Sequence, residues 1–164
     1  MAADADVLAI CVNWNGKYVL PRTVDALLAS NYRPLHVVVV DNASTDDSLQ
    51  GLPAGIDIVK TEENLGYGGA INRIWREVAS GQRPRPCYYL LLNNDLLVDP
   101  GMITSLAGFA AGRKPAIYGP KILQWRRPDC LDMAWGHVRW HHVLVDFEGK
   151  ETADGPAWSE MREV

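Results

Sequence analysis

Residues 88–102, "YYLLLNNDLLVDPGM", decide how the rest of the chain is read. The apolar run from Tyr88 to Leu92 has the length and side chains of a strand buried on both faces, as in a parallel sheet. It stops on Asn93-Asn94-Asp95 before apolar residues resume at Leu96. Asn and Asp are poor strand formers, so local propensity does not ask for them there. Two amides and a carboxylate at the point where a buried strand surfaces point to a ligand outside the chain.

The flanking sequence repeats the pattern. Val7–Asn13 ("VLAICVN") and Leu35–Val40 ("LHVVVV") are further buried strands, and the second runs straight into Asp41-Asn42. Ile56–Val59 is a third strand, and 116–122 ("AIYGPKI") is expected as a fifth. Between them, Val19, Leu20, Val24, Leu27 and Leu28 recur at helical spacing behind Asn15-Gly16, with Pro21 near the start. The glycine-rich "NLGYGG" opens a second helix whose apolar face carries Ile71, Ile74, Trp75 and Val78 and which closes near Gly81. Another helix is expected from about Asp99-Pro100 to Ala111, and Ser44 with an acid three residues on predicts a short helix there. Strands alternating with helices predict an α/β fold with a mostly parallel sheet. Past Leu123 the character changes: tryptophans sit among Arg and His, and 137–147 reads as one or two antiparallel strands. The expected division is therefore a core of residues 1–122 and an antiparallel extension of 123–164.

Bulk properties exclude several classes. At 164 residues the chain fits one domain, enough to bury roughly 70% of the surface its unfolded form exposes. A net charge of −4 gives no general attraction for nucleic acid, so no nucleic-acid partner is expected. Three cysteines, Cys11, Cys87 and Cys130, form no close pair and suit a reduced, cytoplasmic chain. The N-terminus lacks a signal-peptide pattern, and no apolar run approaches the ~20 residues of a membrane span.

In open α/β sheets, ligands bind outside the carboxyl ends of the strands. Those ends carry Asn13-Trp14-Asn15, then Asp41-Asn42, then Asn64 with Gly66 and Gly69, and finally Asn93-Asn94-Asp95. Trp14 could stack on a nucleobase or pack against the following helix. Asp41 could accept from a pyrimidine N–H or a ribose hydroxyl, or could simply serve the turn ahead of Ser44. Gly66, Gly68 and Gly69 permit close backbone approach at a helix N-terminus, or are plain turn residues. Asn72, one turn along, faces the same mouth or is an ordinary polar surface residue. Asp95 is the sharpest candidate, because a carboxylate that holds a divalent cation can neutralise a departing diphosphate.

"AICVNWNG", "VVVVDNASTDDS", "NLGYGGAINR" and "YYLLLNNDLLVDPGMI" together resemble the nucleotide-sugar-binding half of the inverting glycosyltransferases of family two, in the pattern of their rhamnosyltransferase-like branch. The resemblance spans roughly residues 7–122. It implies a GT-A (Rossmann-like) fold and a nucleoside-diphosphate sugar donor, such as dTDP-rhamnose or a UDP-sugar. It further implies Mg²⁺ or Mn²⁺ on the donor diphosphate and a glycan or lipid-linked acceptor. By the same resemblance Trp14 packs on the base and Asp41 reads it. Asn93-Asn94-Asp95 stands at the acidic metal motif, with Asn where the first Asp is usual and Asp95 as the metal ligand. The expected role is sugar transfer with inversion in polysaccharide or cell-envelope glycan synthesis, in the cytoplasm, with peripheral association at the inner face of a membrane open to it. The family's later Glu-Asp motif, source of the general base, has no counterpart. Asp129, Asp132, Asp146, Glu148, Glu151, Asp154, Glu160 and Glu163 are acids out of that context, so no base is assigned.

A dinucleotide-binding enzyme needs its glycine motif directly after the first strand, where "NWNGK" stands instead. A zinc site at His137, His141 and His142 lacks Cys or carboxylate partners at tight ligand spacing. A non-catalytic module that binds a nucleotide sugar without transferring it stays open beside the enzyme.

Overall fold

The computed structural model describes residues 5–139, 141, 144–160 and 162. Its first unit, Met1–Pro115, is built around β1 (Val7–Asn13), in which every residue is buried. α1 (Leu20–Leu28) leads to β2 (Leu35–Asp41), then β3 (Asp57–Lys60) and α2 (Gly66–Ala79). β4 (Tyr88–Asn93) and α3 (Met102–Ala110) complete the unit. The four strands pair in the order β3-β2-β1-β4, all parallel. The observed fold is thus a parallel sheet flanked by helices, with short antiparallel sheets after it, as the alternation of runs predicts.

Side-chain alternation along β1 divides the core. Val7 and Ala9 pack with Leu27 of α1 and Ile103 and Ala107 of α3, while Cys11 joins Leu20 and Val24. Leu8, Ile10 and Val12 face the other way, onto Ala70, Ile74 and Val78 of α2. Each fully buried aliphatic side chain contributes about 1.5–3 kcal/mol, so the strand that carries the central tip is the one held hardest.

Several expectations change. No helix follows Ser44; residues 44–50 form bends and a turn, because the Ser44 hydroxyl accepts from the Asn15 backbone N–H (2.9 Å) instead of capping a helix. Residues 116–121 form no strand. There Gly119-Pro120 interrupts the run, and Ile117 is fully exposed. Trp75 is 60% exposed on the flank of α2, although it shares a stripe with buried Ile74 and Val78.

The second unit, Ala116–Val164, holds two small antiparallel sheets. β5 (Ile122–Gln124) pairs with β6 (Arg127–Met133), a strand too charged to be legible beforehand. β7 (Trp135–Arg139) pairs with β8 (Leu144–Glu148), and a 3-10 turn spans Pro156–Trp158. Leu131 is fully buried, and the Trp135 and Trp158 rings lie 4.9 Å apart with the Arg162 guanidinium over Trp135. Asp146 pairs with Arg139, Glu148 with His137, and Asp154 with Lys121. Among the described residues no three His, Cys, Asp or Glu side chains gather as a metal cluster; His142 and Glu163 lie outside them. No described helix is long and apolar enough to cross a membrane.

Candidate functional site

Parallel register brings the polar residues to one edge. Asn13 lies opposite Asp41 across β1 and β2, and Val12 opposite Asn93 across β1 and β4. At the middle sits the Asn13 carboxamide, wholly buried. Its Oδ1 accepts from Asn94 Nδ2 at 2.8 Å. Its Nδ2 donates to Asp41 Oδ1 and Ser48 Oγ, both at 2.9 Å, with Ser44 Oγ at 3.1 Å. One amide therefore ties the tips of β1, β2 and β4 together. Gly16 packs directly on it: a Cβ there would lie 2.4 Å from Asn13 Oδ1 and 2.2 Å from Asn94 Nδ2, so no side chain fits.

A second amide does the same for the loop after β3. Asn42 is buried; its Oδ1 accepts from the Leu65 backbone N–H (2.9 Å) and its Nδ2 donates to Asn64 Oδ1 (2.8 Å). Asn64 Oδ1 also accepts from the Gly66 N–H at 2.8 Å, which holds Gly66 at φ 70° where α2 begins. Asn15 stitches the first loop to the second, since its Oδ1 accepts from the Thr45 N–H at 2.8 Å. Gly69 lies in the first turn of α2 against Leu65.

The twelve residues picked out by sequence thus divide by what their polar groups are doing. Asn13, Asn15, Asn42, Asn64 and Asn94 are engaged by the protein itself and shape the site. Trp14, Asn72, Asn93 and Asp95 are exposed, Trp14 by 57%. Asp41 is only 5% exposed; Asn13 occupies its Oδ1, and no described residue bonds its Oδ2. Because no buried side-chain oxygen among the described residues lacks a partner, Oδ2 meets solvent and can accept a bond from a ligand. Asp95 makes no hydrogen bond or ion pair with any described residue. The buried Cys11 thiol donates to the Asn93 carbonyl (3.6 Å) and is pushed up to about 12 by burial and by the charge of Asp95, so it stays neutral. The Tyr67 hydroxyl is also raised, by partial burial and then by Cys11.

Sequence reading missed Ser44, Ser48, Gly16 and Thr23. Only Gly16 carried a signal, as a glycine directly behind the Asn-Trp-Asn turn. A single free carboxylate at a strand tip, with amide oxygens beside it, suits a hard cation that takes one protein carboxylate and completes its shell with phosphate and water oxygens. It does not make an all-protein cage.

A different cleft, of about 310 Å³, lies at the amino ends of the strands and is lined by Asp6, His36, Asp57 and Arg83 among others. Arg83 is paired there with Asp57 and with Glu77 (3.0 Å), so its charge is already compensated. Asp95, at the opposite edge of the sheet, has no such partner among the described residues.

Residues 9–135 match the family model described as Glycosyl transferase family 2. The chain belongs to that family. Among curated proteins, the family 2 chain is 32% identical over 135 residues to the N-acetylglucosaminyl-diphospho-decaprenol L-rhamnosyltransferase of Mycobacterium tuberculosis, in strains CDC 1551 and H37Rv. That match covers 76% of this chain and 43% of the relative, so the chain spans less than half the length of the curated relatives it matches. Among solved structures it is similar to residues 1–349 of S. aureus TarS, with TM-score 0.50 and 19% identity over 74% of this chain and 43% of that one. TarS in complex with UDP-GlcNAc gives TM-score 0.51 at 20% identity, over 68% of this chain and 37% of that one. These likenesses establish the GT-A-like fold of a family 2 glycosyltransferase.

Proposed function

We propose that the chain binds a nucleoside-diphosphate sugar across the carboxyl edge of its sheet and, within a complete enzyme, serves inverting transfer of that sugar to an acceptor hydroxyl on a glycan or a lipid-linked glycan. The observation that carries this is the Asn13 relay, which draws the tips bearing Trp14, Asp41 and Asp95 into one hydrogen-bonded group. Trp14 offers its exposed indole to the base, and the free Asp41 Oδ2 accepts from the pyrimidine or the ribose. Asp95, with Asn93 beside it, would hold Mg²⁺ or Mn²⁺ on the donor diphosphate. When bound, that ion supplies Lewis-acid stabilisation of charge on the leaving diphosphate.

In the transfer itself, the acceptor oxygen attacks the anomeric carbon from the face opposite the diphosphate. The anomeric C–O bond breaks and its electron pair leaves with the phosphate. The acceptor proton passes to a general base, a role worth ~10²–10⁴ in rate and assigned to no residue of this chain. A second reading is donor binding without transfer, and a transfer assay separates the two. Either dTDP-rhamnose or a UDP-sugar fits; the rhamnosyltransferase relative supports the first and the UDP-GlcNAc-bound TarS the second. Cytoplasmic placement at the inner face of a membrane accords with such a donor.

Calorimetric titration with UDP and dTDP in the presence of Mn²⁺ tests the reading. Trp14→Ala is expected to weaken binding by about 1–3 kcal/mol, the worth of one base–aromatic stack. Its melting temperature should stay close to wild type because the ring is exposed. Failure of the wild-type chain to bind either nucleotide overturns the proposal.

A further inference from the structure

We propose that Thr23, on α1, is the positioning residue that sets the Asp95 carboxylate, an inference that rests on the reading of Asp95 as the cation ligand. Thr23 is 1% exposed and occupies a place in the buried stripe of α1 otherwise filled by Leu20, Val24 and Leu27. A threonine inside a helix ordinarily returns its hydroxyl to the carbonyl four residues back. Here that contact, to Val19 O, is the long one at 3.4 Å. The short bond goes to the Asn94 carbonyl, 71 residues away, at 2.7 Å. The same Oγ1 accepts from the Leu96 backbone N–H at 3.2 Å. One oxygen therefore grips the peptide groups immediately before and after Asp95.

The grip matters because little else holds this turn. The β1–β4 ladder ends at Asn93, and among the described residues no backbone–backbone hydrogen bond outside helices and strands involves Asn94, Asp95 or Leu96. Two side chains take over: Asn13 binds the Asn94 amide from the sheet side, and Thr23 binds the main chain from the helix side. Asp95 itself touches neither, so its exposed carboxylate is aimed by its neighbours' backbone. A ligating group must be held within about 0.5 Å of its productive position, and partners that orient a ligand without touching the metal typically change affinity 10–100-fold.

Thr23→Val keeps the shape and removes the hydroxyl; Thr23→Ser keeps the hydroxyl and removes a methyl. In the full chain, the readout is the Mn²⁺ increment, the ratio of nucleotide Kd without Mn²⁺ to Kd with it, alongside the melting temperature. Thr23→Val is expected to lower the increment about tenfold or more, and Thr23→Ser to melt lower yet retain an increment within a fewfold of wild type. A retained increment in Thr23→Val, or its loss in Thr23→Ser to the same degree, overturns the proposal. If Thr23→Val does not fold, Thr23→Ala removes the same hydroxyl and takes its place, and a tenfold loss of the increment in Thr23→Ser alone still overturns the proposal. A wild-type chain that binds nucleotide with no Mn²⁺ increment removes the Asp95 reading itself, and that failure shows before either variant is measured.

Discussion

Asp95→Ala is expected to bind UDP or dTDP with an affinity that Mn²⁺ no longer changes, at a melting temperature close to that of the wild type. The carboxylate is exposed and has no partner among the described residues, so its removal leaves no orphaned group and the stability change should fall within about 0.5 kcal/mol. Its electrostatic work is a different matter. A cation on a diphosphate is worth several kcal/mol of charge stabilisation, and Asp95 is the one acid in the Asn93-Asn94-Asp95 motif able to hold it. In a chain competent for transfer the same variant should lose on the order of 10³-fold in rate. Side-by-side titrations with and without Mn²⁺ check this; an unaltered metal effect in the variant would falsify the role given to Asp95.

The opposite pattern is expected at Asn13, which touches no solvent yet holds three strand tips. Asn13→Leu has nearly the same volume, but it strips donors from Asp41 Oδ1 and Ser48 Oγ and the acceptor from Asn94 Nδ2. A buried group left without its partner costs about 1–3 kcal/mol, and more when it is charged. The variant should therefore lose about 3 kcal/mol or more, a fall of roughly 6–12 °C in melting temperature for a chain of this size. Nucleotide affinity should fall with it, because Trp14, Asp41 and Asp95 are no longer referred to one another. Chemical denaturation with a nucleotide titration on the surviving folded fraction measures both; wild-type stability in Asn13→Leu would mean that the relay is not what holds the tips.

What the sequence could and could not disclose follows the range of the forces involved. β1, β2 and β4 were legible because a strand buried on both faces must be an unbroken apolar run, and the parallel sheet follows from their alternation with helices. The polar tips were legible because Asn and Asp have no local reason to end such runs. Which of those residues face a ligand and which hold the loops was not legible. Asn13 and Asp41 are 28 residues apart, Asn13 and Asn94 are 81 apart, and only the folded register shows that their side chains meet. Ser44 misled for the same reason. Its capping pattern is local, but Asn13 and Asn15 reach its hydroxyl from across the sheet. Trp75 satisfied the helical period yet fell at the margin of the buried stripe, and 116–121 had the composition of a strand without a neighbour to pair with. Thr23 looked like any polar residue in an amphipathic helix until its partners at 94 and 96 were in place.

Paramagnetic broadening of backbone amide signals by Mn²⁺ in the presence of UDP or dTDP tests the convergence of the tips most directly. The seven residues of β1 separate the two edges of the sheet by about 20 Å, far enough to tell them apart. The amides of Trp14, Asn42, Gly66 and Asp95 are expected to broaden together, while those of Val7, Leu35 and Tyr88 stay sharp. Broadening centred instead on the amino edge near Asp6, Asp57 and Arg83, or none at any of the four tips, would contradict the account.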